Sequence, residues 1–485
     1  MRRPPIRLFL CLVLVLLLAA PATAADDYTD PEYRTHEADN LTRGRGMQLY
    51  QLATPAYHRA FVAASADSLA RAQGHQLADA THGRAYVGAS QYMSTWGVGN
   101  AEDYFDVTPR EIAFVSQTGA KLYGHIWGSE LPGPRPGVVI TTGSIQGSNQ
   151  MYWWAARALT AAGYVVMTYD VQGQGQSETF GHEPGSIAPT TEGVPFQQSF
   201  NFVQGTIDAM RFFLSTPDDP YVPATWTADD VVSQQASSDG ERMDWVNPAW
   251  AVLDGDNIGI AGHSLGASAV TVVQQCSDES DRYLEVPDCH GESYPIRAVV
   301  GWDQLGTTDY EPVVPGMNQA ADGYFLSPTP SPTAPDPDET LAAHTAWTAA
   351  GIDTYTVVVR AGTHLEWSQV AYHGPATRYG EALAAYYTVA WMDRWVPEDP
   401  TRNAVAYRAL VEGPRPDDEA APSSAAYMSV RRRGAFSLTD PTALAQDPDT
   451  AQAMEVVDLR DWAGRSAVGD WAGANADTVG AVLPD

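Results

Sequence analysis

Lysine is nearly missing from this chain of 485 residues, because Lys121 is the only one. Lysine and arginine together number 28 against 59 aspartates and glutamates, so the formal net charge is −31. A nucleic-acid-binding protein needs a cationic surface, which this composition does not supply. An acidic surface also repels anionic membranes. We therefore expect neither nucleic acid nor a membrane surface among the partners.

Cysteine is equally scarce, with only three residues. No CxxC motif and no cluster of histidine and cysteine occurs, so we predict no metal site and no cofactor. Cys11 lies in the N-terminal leader described below, which leaves Cys276 and Cys289 as an even pair. In an oxidising compartment this pair predicts a disulfide, which would stabilise the fold by about 3 kcal/mol in the chain-entropy model. The alternative is two buried free thiols.

Long hydrophobic runs are absent except at the N-terminus. There, three arginines precede an apolar run at residues 8–20, and Ala22-Thr23-Ala24 supplies a small-residue cleavage pattern. The run is too short to span a bilayer comfortably. We therefore interpret residues 1–24 as a signal peptide cleaved near Ala24, and we expect a secreted protein without stable membrane insertion.

Strand-like and helix-like segments alternate through the middle of the chain. Two strands, at 111–115 and 121–127, are predicted to pair across a turn at Gly119. Continuous apolar strands then alternate with helices, which indicates an α/β fold with a mostly parallel central sheet and helices on both faces. The predicted strands are 137–142, 164–169, 258–261, 297–302 and 354–360, and the predicted helices are 151–162, 200–214, 267–275 and 378–396.

This alternation defines the domain organisation that we expect. After the signal peptide, an N-terminal extension covers residues 25–105, the main α/β domain covers 106–396, and a C-terminal extension covers 397–485. Loop-rich insertions at 171–199 and 216–256 are predicted to form a cap over a site. No internal repeat is present, and we expect a monomer.

The motif that carries chemistry is Gly262-His263-Ser264-Leu265-Gly266. A Gly-x-Ser-x-Gly pattern alone is weak, but this one follows a predicted strand and precedes a predicted helix. That strand–turn–helix setting is typical of a nucleophile elbow, in which the turn leaves no room for side chains beside the serine. We therefore predict Ser264 as a nucleophile.

A serine hydroxyl needs a neighbouring base to act as a nucleophile. His364 directly follows the predicted strand at 354–360, and loops at the carboxyl ends of parallel strands are where open α/β sheets place their sites. The order of serine before histidine is also the one found with a nucleophile elbow. We predict His364 as the base, with His373 as the alternative.

The acid that orients the histidine is expected between the serine and the histidine in sequence. Asp322 follows the short apolar run at 313–314, beyond the strand that should precede the histidine strand, and is the preferred candidate. Asp303, which ends the predicted strand at 297–302, is the second candidate, and Asp309 is the third.

An oxyanion hole requires two backbone N–H donors. Leu265, directly after the predicted nucleophile, is expected to supply one. The loop after the strand at 137–142 is expected to supply the other, from Ser144 or, as the alternative, from Ile145.

Three passages of the chain resemble the α/β-hydrolase esterases and lipases. These are residues 136–144 leading to the strand and Gly-x-Gly-x-Ser turn at 164–177, the elbow at 256–267, and the Gly-Thr-His segment ending at His364 with its following helix. The loop at Gly143-Ser144 is similar to that of secreted cutinase-like relatives. The segment after Asp322 departs from the shorter Asp-x-x-x-Pro spacing of the family.

The resemblance implies a secreted serine hydrolase that cleaves carboxylic esters through an acyl-enzyme, acting on a small-molecule, lipid or polymer ester. The alternatives are a peptidase or amidase with the same triad, and a catalytically silent binding protein. Trp153, Trp302 and Trp367 are candidates for holding an acyl or aromatic group, or for filling the core.

Overall fold

The computed structural model describes most of the chain between residues 109 and 412 and two short segments beyond it. The N-terminal 108 residues, including the predicted signal peptide and N-terminal extension, lie outside the described residues. The described residues are 109–144, 148–178, 180–186, 189–193, 199–237, 242–306, 310–321, 342–359, 364, 367–368, 378–412, 434–439 and 453–456.

Twelve strands are described. They are β1 Arg110–Val115, β2 Lys121–Trp127, β3 Arg135–Thr141, β4 Val165–Tyr169, β5 Phe180–His182, β6 Pro189–Gly193, β7 Leu253–His263, β8 Ile296–Trp302, β9 Gly316–Ala321, β10 Thr354–Val359, β11 Gly434–Thr439 and β12 Ala453–Val456. Ten of them form one sheet in the order β1-β2-β4-β3-β7-β8-β9-β10-β11-β12. The other two, β5 and β6, form a separate antiparallel pair within the predicted cap segment at 171–199.

The centre of the large sheet is parallel and its two edges are antiparallel. Strands β4, β3, β7, β8, β9 and β10 pair in parallel from one neighbour to the next. At one edge β2 pairs antiparallel with β4 and with β1, and the turn between β1 and β2 contains Gly119 at φ 81°. At the other edge β11 pairs antiparallel with β10 and β12. The predicted parallel centre is confirmed, within a mixed sheet.

Helices cover both faces of the sheet, as the continuous apolar strands predicted. Along β8, Val300 packs in one buried cluster with residues of the helices at 153–161, 378–395 and 400–412, whereas the adjacent Val299 packs in the other with residues of the helices at 199–214, 265–273 and 342–349. Successive strand residues point to opposite faces, so both faces of the strand are buried. The helices are α1 Trp153–Ala161, α2 Ser199–Leu214, α3 Ala228–Ser237, α4 Leu265–Val273, α5 Ala342–Ala349, α6 Arg378–Trp395 and α7 Pro400–Glu412.

Two parts of the sheet differ from the sequence predictions. Strand β9 begins at Gly316, beyond the apolar run at 313–314 that the sequence favoured. Strands β11 and β12 belong to the segment at 397–485, so the sheet continues past residue 396. Helix α7 of the same segment packs against the core, where Leu410 is fully buried.

A disulfide joins Cys276, at the end of the helical segment after β7, to Cys289, as the even pair predicted. Both cysteines are fully buried, and their Cα atoms are 5.5 Å apart. Within the described part of the chain, no helix has the length and apolar character needed to cross a membrane.

Candidate active site

Ser264 lies in a sharp turn between β7 and α4, with a backbone φ of 57°. A non-glycine residue at positive φ is strained and persists only where the surroundings fix it. The close contacts of the two flanking glycines show how the surroundings fix the backbone conformation of Ser264. A Cβ atom on Gly262 would lie 2.2 Å from the carbonyl oxygen of Gly266, and one on Gly266 would lie 2.5 Å from the carbonyl oxygens of Thr141 and Thr142. The small residues that the elbow motif predicted are therefore required by close backbone contacts.

His364 lies beside this turn and contacts a carboxylate. Its Nδ1 atom is 2.5 Å from Oδ2 of Asp303, and both side chains are mostly buried. Its ring centroid is 4.7 Å from that of His263, the residue directly before Ser264. The structure therefore brings together the predicted nucleophile turn, the predicted base and the second candidate acid.

Asp303 is held at the same edge of the sheet as Ser264 by adjacent backbone hydrogen bonds. The Ser264 N–H donates to the carbonyl of Trp302 at 3.0 Å, and the Asp303 N–H donates to the carbonyl of Gln319 at 2.8 Å. Asp303 itself has a φ of 46°, in the left-handed region that aspartate tolerates better than most residues. Strands β7, β8 and β9 thus fix the spacing between the serine and the acid.

The preferred acid of the sequence analysis, Asp322, follows Ala321 at the end of β9 and lies outside the described residues. The alternatives Asp309 and His373, and the alternative oxyanion donor Ile145, also lie outside them. Because Nδ1 of His364 is engaged by Asp303, the geometry favours Asp303 as the orienting acid.

The two predicted oxyanion donors lie at the ends of neighbouring strands. Leu265 is the first residue of α4, where the N–H groups of the first turn have no partner within the helix. Ser144 is half-buried in the loop after β3, which is the strand paired with β7. A helix N-terminus and an adjacent loop are a suitable setting for an oxyanion, because their N–H dipoles point toward negative charge.

A buried polar cluster holds the far end of the Ser144 loop. Asp170, at the end of β4, accepts hydrogen bonds from the backbone N–H of Asn149 at 2.6 Å and from its side-chain amide at 2.8 Å. A third bond comes from the backbone N–H of Gln176 at 2.8 Å. Burial raises the pKa of Asp170 to about 6 despite these bonds. This cluster anchors the 3-10 turn at Asn149–Tyr152, which leads directly into α1.

Sequence reasoning missed two residues beside Ser264. His263, which is 3% exposed, has its Nδ1 atom 2.8 Å from the Tyr152 hydroxyl and its Nε2 atom 2.7 Å from the carbonyl oxygen of His364. Burial, followed by the nearby His364, lowers the pKa of His263 to about 3, so its ring is neutral. The Tyr152 hydroxyl also accepts from the Gly143 N–H at 2.9 Å. The motif marked His263 only as a variable position, and no local pattern indicated Tyr152.

The three tryptophans proposed as candidates for substrate contact belong to the core. Trp302 and Trp367 are fully buried and Trp153 is 5% exposed, all within one cluster. The indole N–H of Trp154 donates to the Trp367 carbonyl at 2.8 Å, and this bond supports the chain three residues beyond His364. Of the three, Trp367 is the one close to the base in sequence, and its indole N–H also donates to Oε1 of Gln319 at 2.8 Å, so its contribution is to anchor the chain beyond His364.

No family model matches this chain, and no curated protein matches it in sequence. Its classification therefore depends on the fold and the site themselves. The mixed sheet with helices on both faces places the protein in the α/β class. Among the residues that the structure describes, no group of three or more histidine, cysteine, aspartate or glutamate side chains is arranged to hold a metal ion.

Proposed function

We propose that this protein is a secreted serine hydrolase with an α/β-hydrolase fold that cleaves carboxylic esters. The observation that carries the proposal is the contact of His364 with Asp303 beside the strained turn at Ser264. Nucleophile, acid and base, Ser264, Asp303 and His364, then follow one another along the chain at the carboxyl ends of parallel strands. This chain order is the one found with a nucleophile elbow.

The proposed reaction is an acyl transfer in two steps. The Ser264 hydroxyl attacks the ester carbonyl while Nε2 of His364 takes its proton, and the N–H groups of Leu265 and Ser144 stabilise the oxyanion. Nε2 then returns the proton to the leaving alcohol, which departs and leaves an acyl-enzyme. Water repeats the sequence with His364 as the base, which releases the acid and restores Ser264.

Asp303 has the role of keeping His364 in the correct tautomer. The carboxylate accepts from Nδ1–H, which leaves Nε2 without a proton in the neutral ring and therefore basic. It also stabilises the imidazolium that forms during each step. We assign this role to Asp303 because the described geometry supplies its contact with His364.

The proposal is tested by labelling the purified protein with a fluorophosphonate probe, beside Ser264→Ala and the control Ser268→Ala. Ser268 lies one helical turn further along α4, and its contribution to the elbow is a backbone bond to the Ser264 carbonyl at 3.0 Å. Alanine preserves that bond. Hydrolysis of p-nitrophenyl esters from acetate to palmitate is measured in parallel.

We expect the wild type and Ser268→Ala to be labelled and to hydrolyse esters, and Ser264→Ala to do neither. Labelling without ester turnover would instead favour a peptidase or amidase with the same triad. No labelling of the wild type would contradict the proposal and favour a catalytically silent binding protein.

A further inference from the structure

Three hydrogen bonds form a continuous chain across the elbow, from Gly143 through Tyr152 and His263 to His364. Gly143 lies directly before the predicted oxyanion donor Ser144, and His364 is the proposed base. These hydrogen bonds therefore connect two loops whose relative position matters for the proposed reaction. Tyr152 and His263 are both nearly inaccessible to solvent, with 1% and 3% of their surface exposed.

The direction of every bond in this chain is fixed by chemistry. The carbonyl of His364 can only accept, so Nε2 of His263 must carry the proton. In a neutral ring Nδ1 then lacks a proton and must accept, so the Tyr152 hydroxyl donates to it. The hydroxyl oxygen in turn accepts from the Gly143 N–H. One tautomer of His263 thus satisfies all the groups, and the opposite tautomer would place the carbonyl oxygen of His364 against a ring nitrogen lone pair.

Packing around Tyr152 and Gly143 leaves this series of hydrogen bonds little freedom to rearrange. The Tyr152 ring stacks on Trp302 with an interplanar angle of 5°, and Trp302 immediately precedes Asp303. A Cβ atom on Gly143 would lie 2.9 Å from the Tyr152 hydroxyl and 3.0 Å from Nδ1 of His263. Position 143 therefore has to be glycine for the backbone to reach the tyrosine.

We propose that His263 and Tyr152 are positioning residues that fix where the His364 backbone and the oxyanion loop lie relative to Ser264. This inference rests on the proposed hydrolase function. Neither side chain takes part in proton transfer. His263 holds the carbonyl of His364, Tyr152 holds the N–H of Gly143, and the bond between them couples the two loops.

The first test compares Tyr152→Phe with Tyr164→Phe. Tyr164 is an equally buried tyrosine that donates to Asp393 at 2.8 Å and precedes β4, at the opposite end of the strands from Ser264. We expect Tyr152→Phe to lower kcat for p-nitrophenyl acetate, and the rate of fluorophosphonate labelling, by about 10- to 100-fold with KM nearly unchanged. Tyr164→Phe should keep the wild-type kcat even if its melting temperature falls by as much as that of Tyr152→Phe.

The second test separates the two bonds of His263. A glutamine places an amide N–H near the position of Nε2 and can still donate to the His364 carbonyl, whereas phenylalanine fills the space without a donor. We expect kcat to fall in the order wild type, His263→Gln, His263→Phe. In ¹⁵N spectra of histidine-labelled protein, the signal lost in His263→Gln should show the Nε2–H tautomer and should not titrate between about pH 5 and 8.

The inference is overturned if wild type is labelled while Tyr152→Phe and His263→Phe keep kcat within about twofold, or if the His263 signal shows an Nδ1–H tautomer. Failure of the wild type itself to be labelled is a different result, since it overturns the proposed hydrolase function and the positioning role together.

Discussion

Asp303 directly follows β8 and Asp322 is the first residue after β9, and these two strands pair in parallel. What favours Asp303 is its contact with Nδ1 of His364, together with a backbone position fixed by the bond from its N–H to Gln319. A carboxylate that only orients a histidine is worth several orders of magnitude in kcat, because its loss permits the wrong tautomer. The assignment can therefore be decided by activity.

We expect Asp303→Asn to lower kcat by about 10³- to 10⁴-fold with intact folding, since the amide can donate to Nδ1 and stabilise the unproductive tautomer. Asp322→Asn is the matched control and should retain activity within about tenfold. Steady-state kinetics with p-nitrophenyl acetate measures both variants. The opposite ranking would assign the role to Asp322.

The residue scale also shows what sequence could and could not predict. Ser264 and His364 each follow a strongly patterned strand, so their positions at the carboxyl end of the sheet were predictable, and the His364 ring lies 4.7 Å from that of His263, the residue before Ser264. The choice of acid depended on β9, whose sequence Gly-Met-Asn-Gln-Ala-Ala has little strand propensity. It is a strand because β8 and β10 pair with it on both sides. Tyr152 and His263 are 111 residues apart, and only the fold reveals their contact.

At the scale of elements, the elbow depends on how closely α4 and the end of β7 approach β3. The carbonyl oxygens of Thr141 and Thr142 would each lie 2.5 Å from a Cβ atom on Gly266. These are backbone atoms of a central strand and of the residue after it, so they cannot move aside without disturbing the sheet. The helix N-terminus that is proposed to bind the oxyanion is therefore set by contact between glycine and backbone.

Gly266→Ala should force α4 away from β3, which overpacks the core and destabilises the protein by about 1–3 kcal/mol. It should also lower kcat more than it raises KM. Gly255→Ala, in β7, is the control, because its Cβ would meet only Leu214, at an ordinary 3.7 Å. Urea unfolding and ester kinetics measure both effects. Equal stability and activity of the two variants would contradict this account of the elbow.

At the scale of the whole molecule, buried titratable groups act on stability in opposite directions. Burial lowers the pKa of His263 to about 3 from an ordinary value of 6.5, so the unfolded chain binds more protons there. Stability from this group is complete above about pH 6.5 and is lost as the pH falls toward 3. Burial raises the pKa of Asp208 to about 7 from 3.8, so here the folded state binds more protons. Stability from Asp208 is complete below about pH 4 and is lost as the pH rises toward 7.

Asp208 allows this balance to be measured without touching the site. It lies fully buried in α2, where it accepts from the Gln117 N–H at 3.1 Å and the Gln204 amide at 3.3 Å. In Asp208→Asn the side chain stays neutral and its oxygen can still accept from Gln117. Relative to this variant, the wild-type free energy of unfolding should fall between about pH 4 and 7, with a slope of up to about 1.4 kcal/mol per pH unit.

Urea unfolding at several pH values in that range measures the difference. Asp218→Asn, which removes an exposed carboxylate just after α2, is the control for the loss of one charge from an acidic chain, and it should follow the wild-type curve. A constant difference between the wild type and Asp208→Asn across the range would mean that Asp208 keeps the same protonation state in both the folded and the unfolded chain. In that case the core would tolerate the charged carboxylate of Asp208. Any fall in the free energy of unfolding toward neutral pH would then come from other groups, first from Asp170, whose pKa is raised by burial to about 6.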